Sequence, residues 1–263
     1  MGNGAGDTFC GIAVMAKASQ PGRTKTRLCP PLTFDEAAAL NTAFLKDIAE
    51  NLVALSAEAD IGGSMAFAPR GSEGFFEAHL PASIGLYEVS NANFGICLIE
   101  ALKLQFAAGH VAACVLNSDS PTLPLSILLE MVEALAKPGD RAVIGPSSDG
   151  GYYLLACKAL HTPLFEDIAW STPQVFTQTL ERAAAMCLPV YVLPEWYDVD
   201  DCGSLNVLLA ELLESRSFSP CLRPSLARNS AALLQSLISN ANLRERIAAF
   251  MSEAPPLRED ALS

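Results

Sequence analysis

Phe9-Cys-Gly-Ile-Ala-Val-Met15 runs directly into Ala16-Lys-Ala-Ser-Gln-Pro-Gly-Arg-Thr-Lys-Thr-Arg-Leu28. The first stretch is apolar throughout and reads as a buried strand, because a strand covered on both faces loses the polar alternation of a half-exposed one. The second reads as a loop shaped by Pro21 and Gly22. No carboxylate occurs between Asp7 and Asp35, yet Lys17, Arg23, Lys25 and Arg27 share this segment in a chain of net charge −12. A loop at the carboxyl end of a strand is where open α/β sheets take ligands. Guanidinium forks and ammonium point charges suit phosphate oxygens. The segment therefore predicts a cationic loop that contacts the phosphates of a nucleotide, with a solvated basic surface loop as the alternative.

Working outward, Thr33 and Glu36 form a capping-box pattern that opens a helix from Phe34 to about Leu55, with Leu40, Phe44, Ile48 and Leu52 on one face. Strands are predicted near 61–68, 84–89, 111–116, 141–145, 152–157 and 190–193. Helices are predicted near 74–79, 94–107, 126–136 and 204–214, and one more from the cap Thr172 and Pro173 to about Met186. Strands alternating with helices at this spacing predict an α/β fold, a mostly parallel sheet with helices on both faces. Residues 1–214 read as one domain and 215–228, with four Ser, two Pro and three Arg, as a linker. Residues 229–263 read as a helical extension with a tail. That helix has two possible uses, packing on the domain or forming a homodimer contact.

Composition narrows the function. At 263 residues and 51% hydrophobic, the chain can build a large core. No apolar run reaches the roughly 20 residues of a membrane helix, and Met1–Gly6 lacks signal-peptide and myristoylation patterns. Eight scattered cysteines without a CxxC pair read as reduced thiols, which places the protein in the cytoplasm. The acidic balance argues against nucleic-acid binding, which needs a broad basic face. His79, His110 and His161 read as surface or capping groups, and no Walker-type, GxGxxG, GxSxG or HExxH motif is present.

Asp119 follows the apolar run Val111–Leu116, where Pro121 and Pro124 end the strand. Such a carboxylate beside a phosphate loop suits Mg²⁺, or Mn²⁺ in its place, although a turn aspartate would look the same. Asp198, Asp200 and Asp201 form a second cluster after a strand. Gly150 and Gly151 permit a close backbone approach to a ligand or a tight turn. Trp170 and Ser171 read as a lip for an acceptor, with a core tryptophan before a cap as the alternative. Asp149 is the candidate base for the acceptor proton.

Taken in order, Ala16–Leu28, Asn117–Pro124, Ile144–Leu154, Ile168–Pro173 and Trp196–Asp200 resemble the bacterial DUF2064 family, over about Phe9–Leu213. That family is described as glycosyltransferase-like, within the nucleotide-diphospho-sugar transferase superfamily. The resemblance implies a Rossmann-like GT-A fold and a Mg²⁺-dependent transferase. Its partners would be a nucleotide or nucleotide-sugar donor and a small-molecule acceptor. The superfamily also contains nucleotidyltransferases, which release pyrophosphate. By resemblance, Gly22, Arg23, Lys25 and Arg27 contact phosphates, beside Lys17, with Lys25 stabilising the departing charge. Asp119 and Asp200 would hold the metal. Two departures stand out. Phe94-Gly-Ile-Cys-Leu98 replaces a Leu-Gly-Glu-Arg-Met type motif, and Asp201-Cys-Gly-Ser204 replaces a Thr-Pro-rich turn. The first opens a third reading, a nucleotide-binding protein of reduced activity. Ile96 and Cys97, apolar at helical spacing, are expected to pack inward, with the lining of a less polar acceptor pocket as the alternative.

Overall fold

The computed structural model describes residues 8–90 and 93–253, so the readings placed on Met1–Gly6 and on the tail beyond 253 lie outside the described residues. Seven strands form one sheet: β1 (Cys10–Lys17), β2 (Ile61–Ala68), β3 (Gly85–Glu88), β4 (Ala112–Leu116), β5 (Ala142–Pro146), β6 (Tyr152–Cys157) and β7 (Val190–Val192). The order is β3-β2-β1-β4-β6-β5-β7. Every pairing is parallel except those of β6, which runs against both β4 and β5. β1 and β4 lie in register, Cys10 against Ala112 through Val14 against Leu116, so their carboxyl ends open side by side.

The helices are α1 (Phe34–Leu55), α2 (Glu73–His79), α3 (Phe94–Ala107), α4 (Leu125–Ala136), α5 (Val175–Ala185), α6 (Cys202–Glu214), α7 (Arg228–Ala241) and α8 (Leu243–Glu253). The fold is α/β and Rossmann-like, with helices on both faces. One face carries Ile12 and Val14 of β1 with Phe44 and Leu52 of α1, Met131 of α4 and Leu205 of α6. The other carries Ala13 with Val115 of β4 and Leu98, Ala101 and Leu102 of α3. Alternate residues of β1 thus feed two cores, which is why its sequence is apolar without alternation. The α1 stripe Leu40, Phe44, Ile48 and Leu52 is fully buried, and each such side chain contributes about 1.5–3 kcal/mol on transfer from water.

The predicted capping box is present: Thr33 Oγ1 accepts from Glu36 N at 3.2 Å, and Glu36 Oε2 accepts from Thr33 N at 2.8 Å. The same carboxylate takes a two-pronged contact from Arg246 of α8, at 2.9 and 3.0 Å. Burial alone would raise the Glu36 pKa, but the Arg246 contacts and the Thr33 N–H overcome it and the net shift is downward. A depressed carboxyl pKa adds stability above its unfolded value and loses it as pH falls through the folded one. Arg246→Ala should therefore cost about 1–2 kcal/mol at neutral pH, and the difference from the parent should close below pH 4.5, the ordinary value. Urea midpoints at both pH values check this, and equal midpoints at pH 7 would show the pair to be inert.

Five local expectations are corrected. The C-terminal helical stretch is two helices, because Asn242 adopts a left-handed backbone (φ 49°) that ends α7 by returning its N–H to Leu237 O. α5 starts at Val175 with Gln174 as its cap, while the Thr172 hydroxyl donates to Ala169 O at 2.7 Å and accepts from Gln174 N at 3.4 Å. His110 is buried, with Nδ1 2.9 Å from Thr8 Oγ1. Ile96 points outward at 47% exposure, because α3 lays Leu98, Ala101, Leu102 and Gln105 on the sheet. Cys97 is half-buried and its thiol donates to Ser90 O at 3.0 Å. Residues 215–227 also make specific contacts with the domain, since Ser225 N donates to Thr122 O and its hydroxyl to Leu123 O. Among the described residues no helix is long and apolar enough to cross a membrane.

Candidate functional site

The loop after β1 is held at several points. Ser19 Oγ receives Asn41 Nδ2 at 2.8 Å and Thr42 Oγ1 at 2.7 Å, both from α1. The loop then folds back on itself, as Gln20 O accepts from the backbone N–H groups of Arg23 and Thr24 and from the Thr24 hydroxyl. Gly22 sits at φ +72°, where a side chain is disfavoured. Leu28, fully buried, anchors the far end of a single 3₁₀ turn over Thr26–Leu28. Between these anchors Lys17, Arg23 and Arg27 are exposed.

Lys25 behaves differently. It takes a left-handed backbone, φ 52° and ψ 35°, unusual for a residue with a side chain. Its side chain turns inward to 6% exposure, and its ammonium lies 2.7 Å from Asp119 Oδ1 and 2.9 Å from Asp200 Oδ1. Val199 O accepts a third hydrogen bond at 2.7 Å, and the Phe44 ring lies 5.5 Å below. Burial alone would lower the pKa of this ammonium, but the two carboxylates outweigh it and the net shift is upward. All three N–H donors of Lys25 are thus engaged by the protein, so the loop offers phosphate its exposed cations Lys17, Arg23 and Arg27.

The two carboxylates arrive on loops that are stitched together. Val199 N donates to Asp119 O at 2.9 Å, and Ser120 Oγ to Tyr197 O at 2.8 Å. The Thr122 hydroxyl donates to Tyr197 Oη, which donates to buried Glu211 of α6. Asp201 does not join the carboxylate pair. It caps α6 in a reciprocal box with Ser204, whose hydroxyl also receives Asp200 N. The departure at Asp201–Ser204 is therefore a helix start that fixes Asp200. Asp198 accepts from Ser147 Oγ at 2.7 Å. Its pKa is raised to about 6, chiefly by burial, with the nearby charges of Asp149 and Asp200 adding and Ser147 opposing.

These parts enclose a cleft of ≈ 320 Å³ at the carboxyl ends of β1 and β4. Lys17, Arg23, Lys25, Arg27, Asp119 and Asp200 all line it. Part of the wall is apolar and is not legible in the sequence: Phe94 and Leu98 of α3 with Tyr152 of β6. The one signal for it was that Phe94 and Tyr152 lie inside quoted motifs.

The remaining expected site residues lie outside the lining. Asp149 is exposed and its Oδ1 receives Gly151 N at 2.8 Å, closing its own turn. Gly150, at φ +88°, lies so close to Pro173 that a Cβ would meet its carbonyl oxygen at 2.3 Å. Trp170 stands behind the apolar wall, edge-on to Phe94 at 5.2 Å and to Tyr152 at 6.4 Å. Ser171 is exposed and takes a left-handed backbone, φ 63°.

Comparison with known proteins agrees with this architecture. The model of the family described as "Uncharacterized protein conserved in bacteria (DUF2064)" matches residues 51–172, a narrower span than the resemblance drawn from Phe9 to Leu213. A crystal structure from Desulfovibrio desulfuricans G20, provisionally named a nucleotide-diphospho-sugar transferase, is similar at 26% identity and a TM-score of 0.74. The similarity covers 90% of this chain and 97% of that one. Two more distant structures share the fold. CMP:2-keto-3-deoxy-manno-octonic acid synthetase, complexed with CTP, has 11% identity and a TM-score of 0.51 over 80% of this chain and all of that one. A cytidylyltransferase from Leptospira borgpetersenii has 12% identity and a TM-score of 0.50 over 90% and 97%. No curated protein matches the chain. The fold is that of nucleotide-diphospho-sugar transferases, Rossmann-like and of the GT-A type.

Proposed function

We propose that this chain is a divalent-metal-dependent transferase acting on a nucleotide-activated donor, a nucleotide sugar in the first reading. The observation that carries the proposal is one cleft lined both by exposed cations and by a converging carboxylate pair. Lys17, Arg23 and Arg27 would take the phosphates, and Asp119 with Asp200 would hold Mg²⁺ or Mn²⁺. The donor set fits such an ion, since both carboxylates already converge on one cationic nitrogen within hydrogen-bond distance. Among the described residues no group of three or more His, Cys, Asp or Glu is placed to hold a metal ion by itself. Two carboxylates completed by phosphate oxygens and water are what Mg²⁺ takes. When bound, the metal would neutralise charge building on the departing phosphate.

The residues then divide the work by position. Arg27, 3.9 Å from Asp200 Oδ2, links the phosphate edge to the carboxylates. The Phe94, Leu98 and Tyr152 wall offers an apolar surface to a planar or apolar part of donor or acceptor, with Trp170 packed edge-on against Phe94 and Tyr152. Asp149 remains the proposed base, which requires its turn to approach the acceptor. A second reading, nucleotidyl transfer from an NTP, draws on the three exposed cations, because a triphosphate presents more charge than a diphosphate. The exposed Ile96 keeps a third, a nucleotide-binding protein of reduced turnover.

Thermal shift with nucleotides and nucleotide sugars, with and without Mg²⁺, tests the shared core of these readings, since only ligands of the native state raise stability. The expected result is a nucleotide-dependent shift that requires metal, and the proposal fails if no nucleotide shifts the melting point. Product analysis then separates the readings: nucleoside diphosphate for glycosyl transfer, pyrophosphate for nucleotidyl transfer, neither for a binder. Arg23→Ala and Arg27→Ala should each weaken nucleotide binding roughly tenfold or more and leave the melting point unchanged, because both side chains are exposed. Calorimetry giving parental affinity in both would return the loop to a solvated surface.

A further inference from the structure

Lys25 is a buried cation in contact with the two carboxylates that the proposed function assigns to a divalent ion, and the inference rests on that assignment. One ammonium joins Asp119 Oδ1, Asp200 Oδ1 and Val199 O, all within 2.9 Å. Its side chain is 6% exposed, the Phe44 ring lies 5.5 Å from the ammonium, and its backbone is held in a left-handed conformation. Two carboxylates gathered this closely repel each other unless a positive charge stands between them, and Lys25 supplies that charge. A divalent ion at the same pair meets a competitor that is part of the chain. Metal alone must displace an ammonium from three acceptors, in a place where like charges are poorly screened. Nucleotide phosphates change the balance, because Lys25 lines the cleft and a phosphate oxygen can accept the donors that the carboxylates release.

We propose that Lys25 is a resident counter-ion which holds Asp119 and Asp200 together and competes with the divalent ion, so that metal binds tightly only together with nucleotide phosphates. Lys25 is then a positioning residue that couples two ligands, and each should raise the affinity of the other by the same factor.

The test is calorimetric titration of Mn²⁺ alone into the parent and into Lys25→Met, which keeps the buried stem and removes the charge. The expected result is that Lys25→Met binds Mn²⁺ about tenfold tighter or more, within the range of typical couplings between sites. Adding Asp119→Asn to Lys25→Met should abolish the gain, which places it at this pair. Lys25→Gln, which keeps a donor without the charge, should tighten Mn²⁺ as well, and it serves if the methionine variant does not fold. A methionine variant that folds only when Mn²⁺ is added also supports competition. Mn²⁺ affinity equal to or weaker than the parent's in a folded neutral variant overturns the inference. If the parent then still shows metal-dependent stabilisation by nucleotide, the proposed function survives that result. A parent with no metal dependence of any kind overturns both.

Discussion

Asp119→Asn should abolish the Mg²⁺-dependent part of nucleotide stabilisation and lower turnover on the order of 10²–10³-fold, the loss found when a group that stabilises transition-state charge is removed. Asparagine keeps the shape and a carbonyl oxygen at the end of the β4 loop, but it removes the charge that meets Lys25 at 2.7 Å. Val199 N still donates to the backbone carbonyl of residue 119, so the two loops should stay joined. Lys25 keeps Asp200 and Val199 O, which limits the structural cost. A variant that folds like the parent, binds nucleotide equally with and without Mg²⁺ and turns over slowly is the expected combination. Unaltered Mg²⁺ dependence with parental turnover would make Asp119 a turn residue and remove it from the proposed metal site.

Asp47→Ala should lower stability by about 3–5 kcal/mol, since hydrogen bonds to a charged group count for 1.5–3 kcal/mol each and do not simply add. Asp47 lies in the middle of α1, yet it is the cap of α7. Its Oδ1 receives Asn229 N at 2.8 Å and Asn229 Nδ2 at 2.9 Å, and its Oδ2 receives Ser230 N at 2.8 Å and the Ser230 hydroxyl. α7 has no cap of its own, because Ala227 stands at that position. A carboxylate there satisfies N–H groups that the helix leaves open and meets the positive end of its dipole. At 2% exposure Asp47 cannot be replaced by water without rearrangement. For a chain of this size the melting point should fall by roughly 10 °C, and protease should cut first within 215–228. Asp47→Asn, which keeps the shape without the charge, should lose less. A shift below about 2 °C for the alanine variant would mean that α7 is held by its apolar contacts alone.

The readings that held in the structure depend on neighbours in sequence. The Thr33–Glu36 box marked the start of α1 because both partners lie within one helical turn. β1 and β4 were legible from unbroken apolar runs, and their alternation with helices predicted the layered sheet. Asp201 shows the limit of such patterns. In the sequence it belongs to an acidic cluster with Asp198 and Asp200, whereas its side chain is spent on capping α6. Ile96 shows another limit, since which face of α3 is buried depends on how the helix lies on β1 and β4, and the residues after 94 are apolar nearly all round.

By itself the sequence determined the alternating α/β order, the capped start of α1 and a cationic loop at the carboxyl end of the first strand. All three are written in residues a few positions apart, where helical and extended periodicity act. Only the tertiary structure decided that Lys25 turns inward to Asp119 and Asp200, that Asp47 caps a helix about 180 residues away, and that Arg246 completes the box at Glu36. Charged side chains are cheapest where an opposite charge or open donors meet them, and in this chain those partners come from distant segments that the sheet brings together.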